Sequence, residues 1–180
     1  MKKVVALILT LSMLLCCFAC GNSAEQEAFN ADQEAIRIFR KSLLRPDTFI
    51  LRSAYSFSGC PYNDDDYSYD ELKQIKGNYI ILTYTCENAS GTVIECFGVF
   101  DKDNNTPHRN EDLTDYIEGK GNYKDPLTSV VYDFAGYLGL HKNYAKDRIE
   151  DVNRWITDGR LTKWDETKID KINDSFQKKD

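Results

Sequence analysis

The sequence predicts an α+β fold: an N-terminal helix, an antiparallel sheet of three to four strands, and two or three C-terminal amphipathic helices. Three changes in the spacing of apolar residues predict this order. Apolar side chains recur at helical spacing before Pro46, alternate with polar ones between residues 48 and 100, and return to helical spacing after residue 109. A length of 180 residues fits one domain or two small ones.

The first helix is predicted to begin at Ser23 and to end before Pro46. Ser23 and Gln26 have the spacing of a capping box, in which the two side chains satisfy the first backbone N–H groups of a helix. The apolar positions that follow share one helical face and are therefore expected to be buried: Phe29, Ile36, Phe39 and Leu43.

Three strands are predicted from alternating apolar residues, at Thr48 to Phe57, Tyr79 to Cys86 and Val93 to Phe100. The second and third strands form a hairpin around the turn residues Asn88-Ala89-Ser90-Gly91. The polar run at residues 101–105 ends that hairpin.

Three helical stripes are predicted in the C-terminal third of the chain. Asp125 and Pro126 mark the start of the first, because aspartate caps a helix and proline fits its first turn. That stripe comprises Val130, Val131, Phe134 and Leu138. A second stripe, ending before Gly159, comprises Ile149, Val152, Trp155 and Ile156. A last helix is predicted to contain Leu161, Trp164, Ile169, Ile172 and Phe176, with Lys178 and Lys179 at its C-terminal end.

The N-terminus has the organisation of an export signal. Two lysines precede an uncharged apolar run from residue 4 to 19, which is too short for a comfortable membrane span. The run ends in Ala19-Cys20-Gly21, which resembles the lipobox of bacterial lipoproteins. The resemblance implies that residues 1–19 are cleaved as a signal peptide and that Cys20 is lipidated. An ordinary cleaved signal peptide is the alternative.

Lipidation would anchor the protein through acyl chains to the outer, extracytoplasmic face of the cell membrane. Residues 20–24 would then form a lipidated tether, residues 25–120 an α+β domain, and residues 121–180 a helical region packed on the same domain. Cleavage removes two lysines and no acidic residue, which changes the formal net charge from −6 to −8. Such a charge argues against nucleic acid as a partner.

Three cysteines remain in the body after cleavage and lipidation: Cys60, Cys86 and Cys96. No CxxC spacing occurs among them, so a zinc site is not predicted. A four-residue hairpin loop would place Cys86 and Cys96 on opposite faces, beyond the reach of a disulfide. An odd-length loop would make them diagonal neighbours on one face, still rather far apart for a disulfide. A disulfide from Cys60 to Cys86 or to Cys96 is one possibility, and three buried thiols are the other.

Two stretches of the body carry a resemblance to known proteins. Leu44-Arg45-Pro46-Asp47-Thr48-Phe49 is similar to an L-K-N-P-D-S-F element, and residues 84–101 (YTCENASGTVIECFGVFD) are similar to a Y-S-A-x-N-x-x-G turn with a strand ending A-V-F-D. Both elements belong to small bacterial envelope domains without assigned activity. Thr92 and Glu95 depart from that pattern, which has glycine and arginine there. The resemblance implies a helix packed on a curved antiparallel sheet of cystatin-like or NTF2-like type, and no catalytic residue.

Candidate chemical sites are few. The acidic residues 63–71 and the Asp101-x-Asp103-x-Asn105 run carry possible calcium ligands, but neither has an EF-hand pattern, so a solvated loop and a turn are favoured. The tyrosines, Trp155 and Trp164 could stack on glycans, but most lie on apolar stripes, which favours the core. No local signature supports a cysteine with His108 or His141 as a catalytic pair, and no cofactor, metal or catalytic motif is predicted.

The sequence therefore predicts a non-enzymatic binding or interaction module that is anchored to the membrane, with another envelope protein or cell-wall glycan as partner. Two alternatives stay open. A small-ligand binding protein would use the concave face of the sheet. A weakly diverged cell-wall hydrolase would need two carboxylates that converge in a pocket, at least one with a raised pKa.

Overall fold

The computed structural model describes residues 23–62, 76–122, 125–140 and 146–177. The predicted signal peptide, Cys20, the acidic stretch at 63–71 and His141 lie outside the described residues. The structure divides into two compact units, residues 1–37 and residues 38–180. Helix α1 covers residues 23–41, so its last turn belongs to the second unit.

Within the first unit, α1 is supported by contacts between side chains one turn apart. The Gln26 amide donates to Asn30 Oδ1 at 2.9 Å, and Arg37 forms an ion pair with Glu34 at 2.6 Å. Pairs at these spacings each stabilise an exposed helix by about 0.2–0.5 kcal/mol. The helix ends before Pro46, as the sequence predicts.

The second unit contains an antiparallel sheet whose strands are β1 (Ile50–Gly59), β2 (Gly77–Glu87), β3 (Val93–Asp101), β4 (Thr106–His108) and β5 (Leu161–Lys163). The spatial order is β4-β3-β2-β1-β5. Helix, antiparallel sheet and C-terminal helices follow one another as predicted, which confirms the α+β class. The sheet has five strands where the sequence predicts three to four. The terminal strands β4 and β5 are three residues each, too short for alternation to reveal them.

Both ends of the predicted element pattern need correction. Thr48 lies in a 3₁₀ turn, Pro46–Thr48, because proline fixes φ near the helical value and suits the first position of a turn. Phe49 follows that turn and precedes β1. Leu161 lies in β5, opposite Phe57, and Trp164 follows β5, so neither belongs to the last helix, which begins at Glu166.

Four further helices are α2 (Thr114–Ile117), α3 (Pro126–Tyr137), α4 (Lys146–Thr157) and α5 (Glu166–Gln177). Asp125 caps α3 as predicted, since its side chain accepts a hydrogen bond of 3.0 Å from the Leu127 N–H with Pro126 in the first turn. None of the described helices is long and apolar enough to cross a membrane.

Helices α3 and α4 cover one face of the sheet. Phe57 meets Trp155 edge-to-face with ring centroids 5.1 Å apart, and Phe97 stacks on Phe134 at 6.3 Å. Trp155 also donates its indole N–H to the Pro61 carbonyl at 3.1 Å, so its polar atom is satisfied in the core. These side chains are buried and form the hydrophobic core on this face of the sheet.

The opposite face is covered by the last turn of α1 and by α5. The Tyr84 ring lies 5.3 Å from the ring of Phe39 and 5.3 Å from that of Phe49. Phe176 of α5 meets Phe49 at 6.2 Å. The second unit therefore carries helical segments on both faces of its sheet.

Candidate binding surface

A five-residue loop, 88–92, joins β2 to β3. The Asn88 N–H donates to the Thr92 carbonyl at 2.9 Å, and the Asn88 side-chain oxygen accepts from the N–H groups of Ser90 and Thr92, both at 3.0 Å. Gly91 has a φ of 81°, in the left-handed region that glycine adopts without strain. The loop has the odd length considered above, and it sets the register of the hairpin.

That register determines which backbone groups of β3 point away from β2. Residues of an antiparallel pair alternate between those that exchange hydrogen bonds and those that do not. Because Asn88 and Thr92 are hydrogen-bonded to each other, the even-numbered residues of β3 are the ones that exchange hydrogen bonds with β2. Pro107 of β4 lacks an N–H and lies opposite Phe100, as expected if Phe100 bonds to β2. The odd-numbered residues between 93 and 97 therefore direct their N–H and C=O groups to the outer edge.

No described strand lies beside this outer edge of β3, because β4 pairs only with residues 99–101. Among the described residues, none forms a hydrogen bond with the outward backbone groups of Val93, Glu95 or Phe97. Val93 is 64% exposed and Ile94 is 37% exposed, so apolar side chains accompany the unpaired groups. An edge of this kind is a template for pairing with a further strand.

On the other side of the sheet, the outward backbone groups of β1 at Leu51 and Ala54 do have hydrogen-bond partners. Asn173 of α5 accepts a hydrogen bond from the Leu51 N–H and donates one to the Leu51 carbonyl, both at 3.0 Å. Further along β1, the Ala54 carbonyl accepts from the Trp164 N–H at 2.9 Å. The Asn173 side chain thus makes the two hydrogen bonds that a neighbouring strand would make with Leu51. No described side chain does the same for Val93, Glu95 or Phe97 of β3.

A groove of about 290 Å³ adjoins the open edge of β3. Its polar lining includes Arg52, Glu95 and Asn110, and its apolar lining includes Phe97 and two residues at the end of α3, Leu138 and Leu140. The volume is at the lower limit of small-molecule sites, which begin at about 300 Å³. Glu95 is the one carboxylate among the described lining residues, so this groove does not assemble the carboxylate pair that the hydrolase alternative needs.

Arg109 fixes the segment that brings Asn110 to the groove. Its guanidinium donates to Asp112 at 3.1 Å and to the Ser42 carbonyl at 3.5 Å. Partial burial by itself would raise the pKa of Asp112, but the hydrogen bonds from Arg109 outweigh burial and lower it. The segment is therefore held by a carboxylate that stays ionised at neutral pH.

The other sequence-predicted candidates have structural positions. Residues 101–105 form the turn between β3 and β4, where Asp101 accepts from the N–H groups of Asp103 and Asn104 at 2.9 and 3.0 Å. No cluster of three or more potential metal ligands occurs among the described residues. Trp155 and Trp164 are buried, which confirms their predicted place in the core.

The cysteines separate into one distant residue and one pair. Cys60 follows the end of β1, where Gly59 lies opposite Gly77. Cys86 lies at the other end of β2, about 30 Å from Gly77 at ~3.3 Å per residue, whereas a disulfide needs Cα atoms within about 7 Å. The structure thus does not bring Cys60 to Cys86 or Cys96, and all three are present as thiols.

Comparison with protein-family models, curated proteins and solved structures found no match to this chain. The binding surface is therefore interpreted from its own geometry. The sequence contains only a weak signal for it, the adjacent apolar residues Val93 and Ile94, which interrupt the alternation of β3. Arg52 and Asn110 reach the groove through tertiary contacts and carry no sequence signal.

Proposed function

We propose that the protein is a membrane-anchored, extracytoplasmic and non-enzymatic binding module that holds an extended segment of another envelope protein against the open edge of β3. Cys20 carries the lipid anchor, as the lipobox sequence indicates. The outward backbone groups of Val93, Glu95 and Phe97, which have no hydrogen-bond partner in the described part of the chain, support the binding role.

Strand addition is the recognition mode that suits this edge. Main-chain hydrogen bonds provide affinity in this mode, and pockets for alternate side chains provide specificity. The groove supplies such a pocket, with apolar walls at Phe97 and Leu138. Glu95 has no ion-pair partner among the described residues, so a basic residue in the bound segment would complement it. A cell-wall glycan is less well supported, because it lacks a strand-like array of donors and acceptors and because both tryptophans are buried.

The edge is tested by replacing Glu95 with proline. Glu95→Pro removes one outward N–H and blocks close approach of a strand, while the bonds between β2 and β3 use the even-numbered residues and stay intact. Glu95→Ala is the matched control, since it removes the carboxylate and keeps the N–H. A photo-crosslinking residue at Val93 in intact cells would identify the bound segment, and a synthetic peptide of that segment is then titrated against each variant.

We expect Glu95→Pro to weaken peptide binding about tenfold or more, since a lost hydrogen bond costs about 1 kcal/mol and the steric block adds to it. Glu95→Ala should retain most of the affinity. Equal binding by wild type and Glu95→Pro would refute strand addition. A loss of similar size in both variants would instead indicate that the groove carboxylate governs recognition, as expected of a small-ligand site.

The anchor is tested by Cys20→Ala. Stable attachment needs two or three acyl chains, and the proposed lipid is attached at Cys20. We therefore expect this variant to leave the membrane fraction and to lose labelling by a fatty-acid analogue. Cys60→Ala is the control and should keep both properties. Membrane retention of Cys20→Ala at the wild-type level would rule out Cys20 as the anchor.

A further inference from the structure

Cys86 and Cys96 lie close together on one face of the β2–β3 hairpin. Cys86 is opposite Ile94 and Cys96 is opposite Tyr84, so the two cysteines are offset by two positions on neighbouring strands. Side chains in this relation share a face and are diagonal neighbours. Each thiol influences the pKa of the other, as expected of side chains that lie close together on one face.

The two thiols differ in access and in pKa. Cys86 is buried, whereas Cys96 is half-buried and borders the groove, so an oxidant reaches Cys96 more easily. Burial raises the pKa of Cys86 to about 11. Burial also raises the pKa of Cys96, but its interactions with Cys86 and Tyr84 oppose that rise. Cys96 is therefore the thiol better suited to react first.

We propose that Cys86 and Cys96 are a site of reversible disulfide formation by exchange with a low-molecular-weight disulfide or a disulfide of an oxidoreductase. The Cys96 thiolate attacks one sulfur of the oxidant, forming a mixed disulfide and releasing one oxidant thiolate. Cys86, after losing its proton, attacks the Cys96 sulfur and releases the second oxidant thiolate. The two protein thiols lose two protons and two electrons, and the oxidant disulfide is reduced to two thiols.

The geometry allows the bond only if the strands move slightly, and a disulfide formed in this way would be easily reduced. Diagonal neighbours in an antiparallel pair have Cα atoms about 7–8 Å apart, slightly beyond the usual disulfide range of about 4.4–6.8 Å. Closing the bond therefore requires the hairpin strands to shift by about 1 Å, and disulfides strained in this way are readily reducible. An extracytoplasmic location, which is itself a proposal, would supply oxidising conditions; the purified protein tests the chemistry without it.

The test uses the full chain extracted from membranes and incubated, while folded, with oxidised and reduced glutathione in varied ratio. Thiols are trapped by alkylation, and the protein is digested by cleavage after glutamate. Cleavage at Glu87 and Glu95 separates the two cysteines, so a disulfide is the only covalent link between the resulting peptides. We expect loss of these two thiols and retention of the Cys60 thiol, with full recovery on addition of dithiothreitol.

The variants assign the order of the two steps. Cys60→Ser should oxidise like wild type. Cys86→Ser should accumulate a mixed disulfide of Cys96 with glutathione, whereas Cys96→Ser should react many times more slowly because Cys86 is buried. Persistence of both thiols under oxidised glutathione, or a linkage that includes Cys60, would overturn the proposal. Faster reaction of Cys86 than of Cys96 would overturn the proposed order.

Discussion

Asn173 closes the β1 edge of the sheet, and its replacement by alanine should measure how much that closure stabilises the fold. The side chain makes two hydrogen bonds of 3.0 Å with the backbone of Leu51. Each such bond contributes about 1 kcal/mol net. Leu51 is almost fully buried, so in the variant water could not replace the lost hydrogen bonds of its N–H and C=O groups. Asparagine to alanine also gains about 0.5 kcal/mol of helix propensity, which must be subtracted.

Asp174→Ala is the matched control, because Asp174 is the next residue of α5, is exposed, and gains a similar amount of helix propensity. Urea unfolding, followed by the fluorescence of the buried tryptophans, would give both free energies of unfolding. We expect Asn173→Ala to be less stable than Asp174→Ala by about 2 kcal/mol. The Leu51 amide should also exchange with deuterium faster. A difference within about 0.5 kcal/mol would refute the view that Asn173 substitutes for a neighbouring strand.

Two further changes test packing and electrostatics. Gly98→Ala should destabilise the fold by about 1–3 kcal/mol in urea unfolding, because the added Cβ would come within 2.8 Å of the buried Phe39 ring; unchanged stability would contradict this packing. Asp112→Asn tests the pair with Arg109. The folded-state pKa of Asp112 is lower than its ordinary pKa of 3.8. The ion pair therefore stabilises the fold fully at pH values above 3.8, and this stabilisation is lost as the pH falls through the folded-state pKa. The variant should lose under about 1 kcal/mol at pH 7, and this loss should shrink as the pH falls through the folded-state pKa; a loss that does not change with pH would contradict the linkage.

Local patterns in the sequence predict much of this fold. Helical spacing and the Asp125-Pro126 pair predict α3, and alternation predicts β2 within two residues at its N-terminal end. These signals work because side-chain period and capping depend on residues close in the chain. The hairpin is also predicted, but its loop length is not, since four or five residues fit the same turn composition.

The candidate binding surface could not be predicted in the same way. Whether an edge of β3 is open depends on strand order and on the short pairing with β4. Neither is encoded by the residues of β3 themselves. Glu95 and Cys96 have no motif around them, and their roles follow from the groove and from the hairpin register.

The sequence by itself determined the α+β class, the order of the longer helices and strands and the aromatic core, and it predicts Cys20 as the anchor. Only the tertiary structure decided which edge of the sheet is closed and which is open, and which cysteines face each other. The reason is the separation in the chain of the residues involved. Asn173 reaches Leu51 across most of the second unit, and no short-range period can specify such a contact.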